Sequence, residues 1–174
     1  MRNVKIMRLH ICDERWLLGN PIVEVDIYGK GGYKNIINQL SYADYDIVTV
    51  SEYNKKIVKY ASKKNITVED ELEYLPRFFE KKFEKRFKDF GPIDLGIVFE
   101  QNDARLAEKI VLSIAKFCRF LTLPDYPRCR RVAETVLKNN GLQINLENTL
   151  EKVEKKCDII LDVKTLELTS GLKI

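Results

Sequence analysis

Apolar residues recur along the chain with two different periods, which predict strands and helices in turn. Segment 22–28 alternates apolar with acidic residues, and this period of two is typical of a half-buried strand. Segment 103–117 instead places Leu106, Ile110 and Ile114 at helical spacing. The same two patterns predict further strands over 5–11, 46–50, 93–99, 119–123, 142–146 and 158–163, a final edge strand within 164–174, and further helices over 33–42, 54–65, 67–90, 127–140 and 148–156.

Strands and helices therefore alternate over most of the chain, with short connections between them. Parallel strands need helical crossovers of this kind, so the pattern predicts an α/β fold of the Rossmann-like type. We expect a three-layer sandwich with a mostly parallel sheet of about six strands, helices on both faces, and a single domain. Only segment 67–90 departs from the alternation. It predicts a helical insertion that begins at Thr67, with the acidic residues Glu69 and Asp70 in its first turn. Pro76 would either kink this helix or open a second one.

Size and composition are typical of one globular domain, here residues 1–174. Hydrophobic residues make up 45% of the chain and charged residues 32%, which argues against disorder. No apolar run approaches the roughly 20 residues that span a membrane, and residues 1–6 do not resemble a signal peptide. We therefore expect a cytoplasmic protein whose 4 cysteines are reduced thiols. The net charge of +4 permits an anionic partner without requiring one.

The loops that leave the strands are the expected place for a ligand. In an open parallel sheet, ligands bind outside the carboxyl ends of the strands, where the strand order reverses. The sequence leaves open which two loops flank that reversal. The candidate loops are 29–32, 51–54, 100–103, 123–128 and 147–149. Among their polar residues we include Ser51 and Asn102 as candidate ligand contacts.

A glycine cluster forms the first of these loops. Gly29, Gly31 and Gly32 would let the backbone approach a phosphate closely, and Lys30 would add a positive charge. The cluster matches neither the dinucleotide fingerprint nor the P-loop. A plain glycine turn at the end of a strand is the favoured alternative, because glycine clusters mark turns far more often than phosphate sites.

An arginine-rich loop is the second candidate. Arg128, Arg130 and Arg131 fall in the first turn of a predicted helix, beside Asp125, and could bind a phosphate or a carboxylate. Cations at a helix N-terminus oppose the helix dipole, so an anion would have to offset them. The favoured alternative is a solvated cluster paired with Asp125 or Glu134. Segment 118–163 resembles a nucleotide-binding half-domain in the order of its elements, but its first loop lacks glycine.

The helix over 76–90 combines phenylalanines with cations. Phe79, Phe83 and Phe87 recur every four residues, as on a face that packs on a core or on a second copy of the chain. Lysines and arginines occupy much of the remainder, and nucleic acid or a membrane surface could bind such a helix. Three carboxylates among these cations offset much of the charge, so packing is favoured, and a nucleic-acid or membrane partner is not expected.

Signals for catalysis and metal binding are weak. His10 is the only histidine, and it has no second cluster of ligands with which to complete a metal site. No catalytic residue, metal ligand or cofactor can be assigned from any motif, and whether the protein is an enzyme stays open. The sequence thus predicts a Rossmann-like domain that binds a small anionic ligand, such as a nucleotide or a phosphate metabolite. The alternative is a non-catalytic, self-associating regulatory protein that uses helix 76–90 as its interface.

Overall fold

The computed structural model describes residues 7–11, 23–27, 32–42, 47–50, 55–164 and 166–170. Two compact units make up the chain, Met1–Tyr74 and Leu75–Ile174. Each unit has its own sheet. Among the described helices, none is long and apolar enough to cross a membrane.

The first unit contains a four-stranded sheet with the order β2-β1-β3-β4. Its elements are β1 (Met7–Ile11), β2 (Val23–Ile27), α1 (Gly32–Tyr42), β3 (Ile47–Val50), α2 (Lys55–Ser62) and β4 (Thr67–Asp70). β1 is antiparallel to both β2 and β3, whereas β3 and β4 run parallel. Ile37 and Leu40 from α1 and Ile57 and Ala61 from α2 form its core together with residues of β3 and β4. The predicted helical spacing of segments 33–42 and 54–65 is therefore confirmed.

The four residues of β4 correct one prediction. The expected helix start at Thr67 was wrong, because Thr67–Asp70 pairs in parallel with β3 and buries Val68 beside Val48. The acidic residues that suggested a first helical turn lie in this strand instead. The helix begins later, where Asp70 Oδ1 accepts a hydrogen bond from the Leu72 backbone N–H at 2.9 Å.

The second unit contains a five-stranded sheet with the order β7-β6-β5-β8-β9. The elements from Glu71 onward are α3 (Glu71–Phe90), β5 (Ile93–Val98), α4 (Ala104–Ile114), β6 (Cys118–Pro124), α5 (Pro127–Asn140), β7 (Ile144–Glu147), α6 (Leu150–Lys156), β8 (Ile159–Asp162) and β9 (Glu167–Ser170), with 3-10 turns at Gln101–Asp103 and Ala115–Phe117. The first four strands of the order are parallel, and β9 pairs antiparallel with β8. The predicted α/β class with a mostly parallel sheet is confirmed.

The strands divide between two sheets, whereas the sequence predicted one sheet of about six. The reason lies at β5, which is bordered by β6 on one side and by β8 on the other. No edge of β5 is left for an earlier strand. Segment 67–90 accordingly consists of β4 and α3, which connect one sheet to the next along the chain. That the chain is a single domain stays a prediction.

Helices cover both faces of the five-stranded sheet, as predicted. α6 packs on one face, where Val153 and Cys157 cluster with Val98 and Ile160. On the other face, Leu123 of β6 lies with side chains of α4 and α5. Gly96 in the middle of β5 allows the close approach of α6. A Cβ atom at this position would lie 2.7 Å from Ile160 Cδ1 and 2.8 Å from Val153 Cγ1.

Local contacts set two helix ends in the second unit. Gly141 follows α5 in the left-handed conformation with a φ of 68°, and its N–H bonds to the Leu137 carbonyl. The Thr149 side chain caps α6 by accepting a hydrogen bond from the Lys152 backbone N–H at 3.4 Å. These signals depend only on neighbouring residues, which is why the sequence reveals them.

The phenylalanines of α3 pack inside the second unit. Phe79 and Phe83 are 0% and 2% exposed, so these two side chains are not available to a second copy of the chain. This corrects the predicted self-association surface, of which only Phe87, 39% exposed, stays accessible.

Pro76 neither ends the helix nor opens a new one: α3 continues through it. Its carbonyl accepts a hydrogen bond from Ser113 Oγ at 3.1 Å, which joins α3 to α4.

Candidate functional site

The strand order identifies the reversal that the sequence left open. The chain enters the sheet at β5, moves outward through β6 to β7, and then returns to the far side of β5 as β8. The reversal therefore lies between β5 and β8. The loops that flank it are 99–103, after β5, and the one that begins with Val163 and Lys164, after β8. In parallel α/β sheets this is the position at which ligands bind.

A salt bridge joins these two loops. Lys164 Nζ lies 2.8 Å from Glu100 Oε1, across the reversal. Asp162 Oδ1 accepts a hydrogen bond from the Lys164 backbone N–H at 2.8 Å, and the Val163 N–H bonds to the Val98 carbonyl at 2.9 Å. The Lys164 and Glu100 side chains are 48% and 58% exposed. An exposed pair of this kind contributes only about 0–1 kcal/mol and can exchange partners with a ligand.

A helix N-terminus opens onto the same place. Glu100 occupies the N-cap position of the 3-10 turn that leads into α4, but its side chain makes no capping hydrogen bond there. Because the first N–H groups of a helix have no intrahelical partner, those of Gln101 and Asn102 are available at the carboxyl edge of the sheet. The partial positive charge of the helix terminus adds to that of Lys164.

Aromatic and apolar side chains lie beneath the neighbouring loop. The ring of Phe99, which is buried, meets the ring of Tyr126 edge to face at 5.7 Å between centroids. A cavity of about 10 Å³, which is room for about one water molecule, lies between α4 and α5. Its lining is mainly apolar, with Glu108 and Arg128 as its charged residues. A cavity this small does not hold a metabolite.

The arginine-rich loop lies at the exit of β6, one strand away from the reversal. Arg130 Nε and Nη2 donate to the two carboxylate oxygens of Asp125, both at 2.9 Å. This hydrogen-bonded guanidinium lowers the pKa of Asp125 below its usual range. Arg128 instead pairs with Glu108 at 2.7 Å, while Arg131 is exposed. The pairing with Asp125 is the one that the solvated-cluster interpretation expected.

The remaining candidate residues are dispersed. Asn102 is exposed in the 3-10 turn that follows Glu100 at the reversal. Gly32 is the first residue of α1 in the other unit. Gly29, Lys30, Gly31 and Ser51 lie outside the described residues. Among the candidate residues that the structure describes, only Asn102 lies at the reversal.

Sequence reasoning missed Lys164 as a site residue. It follows a predicted strand, but nothing in its neighbours distinguishes it from the other lysines of the chain. Its position becomes meaningful only when β8 is known to lie beside β5.

Within residues 7–11, 23–27, 32–42, 47–50, 55–164 and 166–170, no group of three or more histidine, cysteine or acidic side chains could hold a metal ion.

The thiols of the second unit are poorly suited to nucleophilic chemistry. Cys129 and Cys157 are buried. Burial, with a smaller contribution from nearby Asp94, raises the pKa of Cys118 to about 12, and burial also raises the pKa of Cys129. A thiol is a good nucleophile only as the thiolate, so at neutral pH both groups are inert. They pack in the unit as small apolar residues, as expected for core cysteines.

A buried carboxylate lies at the opposite, amino edge of the sheet. Asp94, 6% exposed, receives two hydrogen bonds from Arg119, at 2.8 Å from Nε and 2.7 Å from Nη2. The pairing of β5 with β6 shifts there, because Ile93 pairs with Cys118 but Asp94 with Phe120. Arg119 is thus an extra residue in β6, and this irregularity directs its side chain to Asp94. Since both carboxylate oxygens are engaged, we interpret the pair as structural.

Comparisons with known proteins leave the family open. No protein family and no curated protein matches the sequence. Among solved structures, the chain is similar to an N-acetyl-L-ornithine transcarbamylase mutant complexed with PALAO, with a TM-score of 0.40 and 10% sequence identity. The match covers 75% of this chain and 47% of that one, so the chain spans less than half the length of the transcarbamylase.

Proposed function

We propose that the second unit binds a small anionic ligand at the carboxyl edge of its sheet, between the ends of β5 and β8. The position of the strand reversal carries this proposal. The ligand is expected to contact the first backbone N–H groups of the helix that follows β5 and the ammonium group of Lys164. A nucleotide or a phosphate metabolite has the charge that such a site requires.

The Glu100–Lys164 salt bridge bears on how the ligand would bind. An anion that reaches Lys164 replaces Glu100 as its partner, and the released carboxylate then turns to solvent, where it is already half exposed. Opening an exposed pair costs at most about 1 kcal/mol, which charge-assisted hydrogen bonds from Lys164 and the backbone N–H groups to a phosphate would offset. The loop after β5 contains no glycine. We therefore favour a ligand with one anionic group over a dinucleotide, because a pyrophosphate needs the close backbone approach that glycine allows.

A thermal-shift panel tests the proposal. Nucleoside monophosphates, sugar phosphates and inorganic phosphate would be added to the full-length protein. A ligand present at about 100 times its Kd stabilises the bound form by about 2.7 kcal/mol, or roughly 10 °C for a unit of this size. The absence of a shift with every compound at millimolar concentration would refute the proposal.

Two matched lysine variants locate the site. Lys164→Gln should reduce the shift given by any active compound. Lys155→Gln should leave it unchanged, because Lys155 forms an equally exposed salt bridge, with Glu151 on α6, away from the reversal. Equal shifts in both variants would show that the ligand binds elsewhere.

A further inference from the structure

Glu80 and Glu84 lie on one side of α3, whereas Asp89 follows Lys85 and Arg86 at spacings of four and three residues and so lies on the same side as those cations. Glu80 pairs with Lys116 at 2.6 Å, on the side of α3 that faces α4. Glu84 pairs with Lys88 at 2.8 Å, one turn further along. Two of the three carboxylates in residues 77–90 are therefore already engaged. These two carboxylates therefore do not offset the charge of the other cations of the helix. Such an offset was the reason for not expecting a nucleic-acid partner.

Four cations of α3 form a continuous surface on the other side. They are Lys81, Lys82, Lys85 and Arg86. Lys81 lies four residues before Lys85 and Lys82 four before Arg86, so the two pairs form neighbouring rows on the helix. None of the four forms an ion pair with another described residue. Residues 77–90 hold six cations and three carboxylates, so three of the chain's four net positive charges reside on this short segment.

Aromatic rings flank these cations. Lys82 Nζ lies over the ring of Phe78, 5.9 Å from its centroid, and the Arg86 guanidinium lies over the ring of Phe90 at 5.2 Å. Phe90 is 74% exposed, the most of the phenylalanines in the second unit. We call this set, Phe78, Lys81, Lys82, Lys85, Arg86 and Phe90, the basic face of α3.

Two of the cations are partly withdrawn from water without a compensating carboxylate. Arg86 Nε is buried and has no hydrogen-bond acceptor within the described part of the chain. Burial lowers the pKa of Lys82, since desolvation disfavours its charged form. A buried donor that lacks an acceptor destabilises the folded protein.

We propose that the basic face of α3 binds single-stranded nucleic acid. Phosphates along the strand neutralise the four cations, and a base stacks on the exposed ring of Phe90. A duplex offers the same phosphates but keeps its bases paired and stacked, so Phe90 favours a single strand. An acidic peptide would match the charges but would leave the exposed ring without a flat partner.

Fluorescence anisotropy with a labelled oligothymidylate of about 12 nucleotides measures this binding directly. The logarithm of the binding constant should fall with the logarithm of salt concentration with a slope of about 3, from about 0.7 per phosphate for four contacts. A labelled duplex of the same length should bind more weakly. No change in anisotropy at about 50 mM salt, or equal binding of the duplex, would overturn the proposal.

Three variants separate the basic face from general charge. Lys81→Gln with Lys85→Gln should lower affinity at least tenfold and reduce the salt slope by about 1.4, the amount for two phosphate contacts. Lys63→Gln with Lys64→Gln removes the same charge from an exposed turn of the other unit and should change neither. Phe90→Ala should weaken binding roughly tenfold at an unchanged salt slope, because stacking is not ionic. Equal losses in the two lysine pairs would contradict the assignment to α3.

Discussion

The close contact between α6 and β5 at Gly96 gives a stability prediction that can be worked out from distances. Replacing Gly96 with alanine adds one methyl group, which would lie 2.7 Å from Ile160 Cδ1, 2.8 Å from Val153 Cγ1 and 3.1 Å from Cys157 Sγ. Ile160 Cδ1 is the end of a flexible side chain and can rotate away. Val153 is β-branched, and its Cγ1 cannot move without its helix, so α6 itself must shift.

The expected destabilisation follows from two opposing effects. Overpacking of a close-packed core costs about 1–3 kcal/mol. The loss of glycine's freedom in the unfolded chain returns about 0.4–1 kcal/mol. Gly96→Ala should therefore lower the free energy of unfolding by about 1–2 kcal/mol, as measured by urea denaturation followed by far-UV circular dichroism.

A second substitution tests the cause. Val153→Ala removes the methyl group that blocks the new side chain, so the double variant should be about 1 kcal/mol more stable than the sum of the single changes predicts. If Gly96→Ala is as stable as the wild type, the contact distances do not control this packing. If the two effects are additive, Val153 is not the obstacle.

Two further predictions concern burial and charge. Phe83→Ala should lower the free energy of unfolding by about 3–5 kcal/mol, whereas Phe90→Ala should change it by less than about 0.5 kcal/mol. Urea denaturation measures both changes. If the two variants lose similar amounts of stability, the packing described for α3 is contradicted. Because Arg130 lowers the pKa of Asp125 in the folded protein, the stability that this pair contributes is present above the ordinary carboxyl pKa of 3.8 and is lost as the pH falls through the folded value. Arg130→Gln should therefore be less stable than the wild type at pH 7 but equally stable at about pH 2, and a stability difference that persists in acid would refute this.

Local signals in the sequence identified most elements of the second unit correctly. The range of α5, its end at Gly141 and the cap at Thr149 all depend on residues that are close in the chain. β4 was mistaken for a helix because Glu69 and Asp70 resemble a first helical turn, while the partner that makes the segment a strand lies about 20 residues earlier, in β3.

The candidate site was less predictable than the elements that build it. Asn102 could be named because it follows a clear strand. Lys164 could not, since its proximity to Glu100 depends on β8 returning to the side of β5, a pairing that no local pattern encodes. The same limit applied to α3, where counting charges along the sequence could not show that Glu80 turns away towards Lys116.

The strand order also has a consequence for how the second unit folds. Contacts between β5 and β6, such as that of Arg119 with Asp94, join residues 25 positions apart, whereas the contact of Lys164 with Glu100 joins residues 64 positions apart. Closing the longer loop has the larger entropic cost, and contacts between distant residues form slowly. We expect β5, β6 and β7 to assemble first and β8 to dock last. During synthesis the crevice between β5 and β8 would then stay open until β8 had docked, so a ligand present early would act as a template for that last step.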